Sequence, residues 1–386
     1  MNQQQVEIGK YISQPQGFMA FVPNNFPPFR KLDIDKELSK KHTKAINLLG
    51  ELNGITRLLP DKDCFLRMFI IKDASSSSQI EGTNATMNDA IEAENIDRKP
   101  NLPSDVDDIL HYIKALNYGL KRLEDYPLSL SFIKELHAEL MTDARSTQFA
   151  YPGEFRISQN WIGGTKPSNA RFVPPPVGPM KKSLSDLEKF IHADDEYLPL
   201  IKAGLIHSQF ETIHPFTDGN GRTGRMLITM FLWFSGMLRM PVLYLSSYFK
   251  KYQDVYYEKI NGYHNGRLYE WIDFFLDAVI DVANSAIDVC DGIVALRERD
   301  MTKIQKLNQS ASESAVNVLL GLYKMPTVGV ADVMRMTGFT KAGTYKVIDR
   351  MVRLKILYPV KQGDEIYGQK WTYKDYLMLF DNEESL

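Results

Sequence analysis

The sequence predicts a mainly α-helical protein that carries a short β-hairpin and ends in a winged helix-turn-helix. Three observations predict it. Apolar residues recur at three- and four-residue spacing along most of the chain, the mark of amphipathic helices. Residues 150–180 break that rhythm with Gly, Pro, Trp and β-branched residues and close on Pro174-Pro175-Pro176. Residues 310–386 run as three short helical patterns followed by two β-patterned ones, the order of a winged helix.

The elements follow in order. In residues 1–30, Pro23, Pro27 and Pro28 argue against regular structure, so this segment is expected to wrap a helical body in extended form. From residue 31 to 92 the pattern is helical, carried by Leu48, Leu49, Leu52, Ile55, Leu58 and Leu59. Asn53-Gly54 weakens it and Pro60-Asp61 ends that run. Asn101-Leu102-Pro103-Ser104 reads as a turn with a helix N-cap. Helices are expected over 106–123, 129–142, 180–193 and 197–213, with a hairpin or structured loop over 150–180. A glycine-rich loop at 218–224 precedes an apolar helix over 226–238, and further helices cover 246–261 and 269–309. In the last region Gly338 stops a short helix, and Thr340 caps the next. Two β runs, 356–361 and 365–373, turn at Gly363-Asp364. The expected domains are an N-terminal helical region, 1–100, a central core, 101–309, and the winged helix, 310–386.

Composition narrows the function. Lys plus Arg is 46 against 48 Asp plus Glu, which excludes bulk nucleic-acid coating and an acidic disordered chain. Two cysteines are too few for a disulfide framework or a cysteine-built zinc site, and a reducing compartment suits them. The polar start Met1-Asn2-Gln3-Gln4-Gln5 lacks the apolar core of a signal peptide. The longest apolar stretch, 226–238, falls short of the roughly 20 residues a membrane span needs. A cytoplasmic protein without a membrane partner is expected.

The most informative run is His214-Pro215-Phe216-Thr217-Asp218-Gly219-Asn220-Gly221-Arg222-Thr223-Gly224-Arg225. Gly219, Gly221 and Gly224 fit the dinucleotide pattern GxGxxG, but helical spacing precedes them where a strand belongs. The surroundings read helix, tight loop, helix. A helix N-terminus presents unpaired N–H groups and partial positive charge, and glycines let a phosphate approach closely. Arg222 and Arg225 share one face of the first turn, and two guanidinium forks beside an anion hole suit a polyphosphate. Asp218 adds a hard oxygen for Mg²⁺, which needs only one or two protein carboxylates beside phosphates. His214 is placed to act as general base toward a hydroxyl. The bland alternative is a glycine-rich connector with solvated arginines and a structural histidine. His207, seven residues before His214, is read as structural because no third ligand with metal spacing appears.

This run resembles the signature of the Fic (filamentation induced by cAMP) family, HxFx(D/E)GNGRxxR, at every defined position. The resemblance covers most of the chain. It implies a Fic-type helical core that transfers AMP from ATP to a Ser, Thr or Tyr hydroxyl of a protein substrate, the chain itself included. By it, His214 deprotonates the hydroxyl and Asp218 holds Mg²⁺ against the α- and β-phosphates. Asn220 and the loop amides, with Gly219, Gly221, Thr223 and Gly224, form the anion hole, while Arg222 and Arg225 hold the β/γ end. Gly221 favours AMP transfer, where a bulkier residue in Doc relatives crowds the phosphate pocket.

Ser77-x-x-x-Glu81-Gly82 matches the family's inhibitory motif, (S/T)xxxE(G/N), so the resemblance implies that Glu81 pairs with Arg225 and blocks ATP. The plain alternative is a capping box from Ser78 to Glu81, with Gly82 as a helix C-cap. Glu81 also offers a way to orient water and remove AMP, so a de-AMPylating hydrolase is one rival. Gly153-Glu154-Phe155-Arg156 resembles the family's GxFR element, before a flap over 161–173 that holds the target by strand addition. The alternative there is a proline-rich surface loop. Ser247-Tyr248-Phe249 and Tyr256-Tyr257 resemble the helix bordering the adenine, with Tyr257 as the base contact. Gly266-Arg267 departs from the family's Gly-Asp. Between Ser310 and Leu379, ten Lys and Arg face six Asp and Glu, less basic than a strong DNA binder. Docking, dimerisation or target choice is favoured for that module over DNA contact, and the resemblance is compatible with a homodimer. A nucleotide-sensing DNA-binding regulator is the second rival.

Overall fold

A computed structural model describes residues 6–29, 32–93, 103–143, 151–360 and 369–381. Its contacts divide the chain into two units, residues 1–50 with 70–283 and residues 51–69 with 284–386. The expected boundary at residues 100 and 101 lies outside the described residues, as do the turn residues Asn101-Leu102 and Gly363-Asp364.

The first unit opens with an antiparallel hairpin, β1 (Gly9–Ser13) and β2 (Met19–Pro23). This corrects the expectation that residues 1–30 lack regular structure. The prolines fall where a ladder tolerates them: Pro15 in the turn, Pro23 at the strand end, Pro27 and Pro28 beyond it. Gly17, at φ +81°, supplies the left-handed turn residue. Ala20 and Phe21 on β2 are buried.

The helices are α1 (Lys36–Ile55), α2 (Lys62–Ile80), α3 (Met87–Ala93), α4 (Val106–Arg122) and α5 (Leu130–Met141). After the loop at 151–176 come α6 (Val177–His192), α7 (Pro199–Ile213), α8 (Asn220–Phe234), α9 (Ser246–Lys251), α10 (Gln253–His264) and α11 (Leu268–Gln305). α4 buries Val106, Ile109, Ile113, Leu116 and Leu120, a three-and-four stripe laid against α5 and α8. α7 is buried on every side from Leu200 to Ile213, so it is the central helix, with α8 packed along it. Trp271 on α11 donates from Nε1 to the Gly204 carbonyl at 2.8 Å, and Phe275 lies against Gly204, where a Cβ would come within 3.0 Å.

The helix expected from residue 226 begins at Asn220 instead, so the second half of the glycine-rich run is helical. Glycine inside a helix lowers its propensity by about 1 kcal/mol, and the sequence pattern is read accordingly as loop. The flap at 161–173 holds a single antiparallel bridge, Ile162 to Phe172, and a 3₁₀ turn at Pro167–Asn169. Phe21 of β2 donates its N–H to the Val173 carbonyl at 2.9 Å, which braces the flap's end.

In the second unit α12 (Gln309–Leu322), α13 (Val330–Thr337) and α14 (Lys341–Arg353) pack beside a three-stranded antiparallel sheet. Its strands are β3 (Thr327–Gly329), β4 (Tyr358–Pro359) and β5 (Lys370–Thr372), in the order β3-β5-β4. Gly338 ends α13 at φ +70°, and the Thr340 side chain caps α14. Helix α15 (Lys374–Asp381) follows, beyond the expected pattern. The buried Asp300 carboxylate is satisfied by Arg299, Lys303 and the Tyr373 hydroxyl. Among the described residues, no helix is long and apolar enough to cross a membrane.

Candidate active site

The site is built where α7 stops. His214 caps α7 in a left-handed conformation, φ 47° and ψ 61°, which is strained for a residue with a Cβ. Arg156 holds it there. Its Nε donates to the His214 carbonyl at 2.9 Å, and its other nitrogens donate to Ser158, Pro175 and Ile213 carbonyls. Burial lowers the Arg156 pKa to about 10. The arginine of the Gly153-Glu154-Phe155-Arg156 element is therefore a backbone clamp. Gly153, at φ +79°, donates its N–H to Nδ1 of His137.

His137, on α5, was not singled out in the sequence. Its Nε2 donates to the Asp218 carbonyl at 2.9 Å, and its ring stacks on Phe216 at 3.7 Å. Both ring nitrogens thus tie separate loops together, and only the folded chain reveals that. The Asn220 side chain closes the turn: Oδ1 accepts from Phe216 N–H and Nδ2 donates to the Phe216 carbonyl, both at 2.8 Å. The Asn220 side chain is committed to the loop, and what faces an anion is backbone. With Gly219 as N-cap, the N–H groups of Asn220, Gly221 and Arg222 open the helix without intrahelical partners.

A cavity of about 430 Å³ lies over this helix end. Of the sequence-picked residues, Glu81, His214, Asp218, Gly219, Asn220, Gly221, Arg222, Arg225 and Tyr257 line it. Thr223 and Gly224 do not. Helical rotation turns Thr223 back to bond the Gly219 carbonyl at 2.9 Å. Gly224 faces α7, where a Cβ would strike Oε1 of Glu211. His207 is structural in geometry, bonded to the Gly224 carbonyl and the Tyr256 hydroxyl, both at 2.9 Å. Among the described residues no three His, Cys, Asp or Glu group as metal ligands.

α2 ends in a Schellman turn: Gly82 donates to Gln79, and Thr83 to Ser78. Gly82 has φ +96°, so the C-cap reading of Gly82 holds, while Ser78 lies inside α2 and forms no capping box. The same turn delivers Glu81. Its Oε1 accepts from Nη2 of Arg225 at 2.7 Å, and Ser77 accepts from that arginine through Oγ at 2.8 Å and its carbonyl at 2.9 Å. Glu81 Oε1 also lies where a Cβ on Gly221 would be, against the helix end. Burial disfavours the Arg225 charge, yet the Glu81 carboxylate holds its pKa above the ordinary value. Tyr257 and Gln253 on α10 both donate to the Ile80 carbonyl, the last of α2. Burial, then the Arg156 charge, lowers the His214 pKa to about 4, so the ring is neutral at pH 7. Asp218 uses Oδ1 on the Gly219 N–H.

Residues 39–121 match the Fic/DOC family N-terminal model, and residues 127–232 match the Fic/DOC family model. The chain belongs to the Fic/DOC family. Its N-terminal region holds Ser77 and Glu81, and its Fic region holds Arg156 and the whole run from His214 to Arg225. "Protein adenylyltransferase Fic" of Culex quinquefasciatus is 28% identical over 167 residues, covering 43% of this chain and 30% of that one. "Protein adenylyltransferase fic-1" of Caenorhabditis briggsae is 30% identical over 124 residues, covering 32% and 23%. The Drosophila melanogaster Fic adenylyltransferase is 24% identical over 244 residues, covering 60% and 44%. The chain spans less than half the length of these curated relatives. In fold it is similar to a Fic family protein from Desulfovibrio desulfuricans, with a TM-score of 0.57, 17% identity, and 89% and 97% of the chains covered. A Fic domain-containing signalling protein from Bacteroides thetaiotaomicron gives 0.50 and 17%, covering 67% and 97%.

Proposed function

We propose that this Fic protein is a protein adenylyltransferase that restrains itself through Glu81. The observation that carries the proposal is the place of the Glu81 carboxylate. It sits at the N-terminus of α8, against Gly221 and 2.7 Å from Arg225, where an anion is favoured. A carboxylate there stands in for a phosphate. Among the described residues Arg222 is buried with Nε unpartnered and the Met141 sulfur 3.6 Å from Nη2, a second guanidinium ready for an anion.

With Glu81 withdrawn, the α8 amides, Arg222 and Arg225 hold the triphosphate of ATP. His214, neutral and buried at the same cavity, takes the proton of a target Ser, Thr or Tyr hydroxyl, whose oxygen then attacks the α-phosphorus. The flap edge at 161–173 receives the target segment, and Tyr257 borders the adenine. Asp218 is one carboxylate at the cavity wall, and one carboxylate beside phosphates fits Mg²⁺. Such an ion neutralises phosphate charge. A reducing, cytoplasmic setting suits the two free thiols, Cys64 and Cys290.

The test uses the Glu81→Gly variant with Mg²⁺, a cell lysate, and ATP labelled at either the α- or the γ-phosphate. AMP transfer puts α-label on protein and leaves γ-label in solution. Adding His214→Ala is expected to cut α-labelling at least about a hundredfold. γ-label on protein, or α-labelling indifferent to His214, overturns the proposal.

A further inference from the structure

Glu211 is the buried group in this cavity that the reaction above leaves without a task. It lies on the last turn of α7, is 8% exposed, and lines the cavity, and its Oε1 has no hydrogen-bond partner among the described residues. An unpaired buried carboxyl is costly, and a well-packed apolar side chain would serve α7 better. Its other oxygen, Oε2, stands 3.9 Å from Nδ1 of His214, and that Nδ1 is also buried and unpartnered. The Glu211 carboxyl and the His214 ring therefore face each other, with the Glu211 backbone carbonyl as the ring's other near acceptor. The left-handed turn at His214 brings the ring back toward the residue three places earlier on the helix. Closing the gap to hydrogen-bond length takes a movement of about 1 Å, and catalytic bonds are often long before the substrate arrives.

Resting on the transfer reaction proposed above, we propose that Glu211 is the positioning residue for His214. Its carboxylate accepts Nδ1–H when nucleotide and target are bound, and so fixes the tautomer whose Nε2 is free. In the step, the target hydroxyl proton passes to Nε2 and the hydroxyl oxygen bonds the α-phosphorus. The bridging P–O bond to the β-phosphate breaks, and pyrophosphate leaves with the electron pair. The imidazolium then carries both ring protons and faces Glu211, whose carboxyl is raised to about 7 by burial and whose ionisation is favoured once Glu81 withdraws. Burial and Arg156 make the ring a weak base, the Glu81 and Asp218 carboxylates only partly offset them, and withdrawal of Glu81 from the site removes one of the two. Arg225, Glu81, Tyr256 and Tyr257 face Glu211 from the neighbouring elements. Arg156, Glu81, Asp218 and His264 face His214, as does the Glu211 backbone carbonyl.

The test places Glu211→Gln in the Glu81→Gly background and follows α-labelled AMP transfer against ATP concentration and pH. The expected kcat falls at least about tenfold while KM for ATP stays within about twofold. The acid limb of kcat moves to lower pH, because an imidazolium without its carboxylate loses its proton more readily. Glu211→Asp keeps the charge and is expected to retain more kcat than Gln. An unchanged kcat, or a raised KM with an unmoved limb, overturns the proposal. If the Glu81→Gly parent transfers no AMP, the transfer reaction fails, and Glu211 is judged by ¹⁵N spectra of the histidine rings. With Mg²⁺ and ATP present, the proposal expects Nδ1–H at His214 in the wild type and its loss in Glu211→Leu, which has no side-chain acceptor. Nε2–H in the wild type, or one tautomer in both proteins, overturns it.

Discussion

Glu81 and Arg225 form an ion pair of unequal exposure, with side chains 40% and 2% exposed. Solvent on the Glu81 side weakens the attraction, so the pair is releasable rather than locked. Ser77 shares the hold on Arg225 through two further bonds. Ser77→Ala is therefore expected to raise AMP transfer several-fold, and less than Glu81→Gly, in initial-rate assays with α-labelled ATP. Equal or larger activation by Ser77→Ala would contradict this ranking. At this scale the sequence was informative where chemistry sits in one run. The stretch from His214 to Arg225, and the spacing of Ser77 and Glu81, led to residues that the fold brings to one cavity. His137 and Glu211 escaped because their partners arise only on folding. His137 meets Asp218 across 81 residues, and a lone glutamate in a helical pattern carries no sign of burial. Nothing in the run marks that the Asn220 side-chain amide closes the turn at Phe216.

Helix α8 shows what periodicity misses. Two glycines in its first turns lower helix propensity, yet both sit where another group must approach closely. A Cβ on Gly221 would meet Glu81 and Arg225, and one on Gly224 would meet Glu211, Phe210 and His207. Alanine normally stabilises a helix over glycine by about 1 kcal/mol. At Gly224 the sign is expected to reverse, with Gly224→Ala losing about 1–3 kcal/mol from overpacking, read as a lower urea midpoint. A midpoint raised by the substitution would contradict the packing described. The β1–β2 hairpin was invisible for a different reason. Prolines were counted as breakers without regard to register, and three of them lie at or beyond the strand ends. The long amphipathic elements, α4, α5, α6 and α14, were legible because each has one apolar face.

The whole molecule carries an acid sensitivity built from buried histidines. Burial lowers His137 and His214 to about 4, and His207 and His264 to about 3, from an ordinary 6.5. The unfolded chain takes up these protons as pH falls through 6.5, and the folded chain refuses them until about 4 at His137 and His214 and about 3 at His207 and His264. Their stability is thus present above 6.5 and lost below it, at about 1.4 kcal/mol per pH unit for each histidine. Glu211 opposes them. Burial raises it to about 7, so its contribution is present below 4.5 and lost as pH rises through 7. His42 is lowered by burial as well, and buried Asp73 is raised on the side of Glu211. The histidines outnumber these carboxyls, so Tm is expected to fall between about pH 6 and pH 4, and a flat Tm across that range would contradict the burial of these rings as neutral groups. The proposed restraint rests on the contact of Glu81 with Arg225 at the head of α8. The most direct measurement is the rate of α-label transfer to protein by Glu81→Gly beside the wild type, at equal ATP and Mg²⁺. A rise of at least about tenfold, some 1.4 kcal/mol of released restraint, is the predicted result. Equal rates in the two proteins would mean that the carboxylate beside Arg225 does not hold the phosphate site closed.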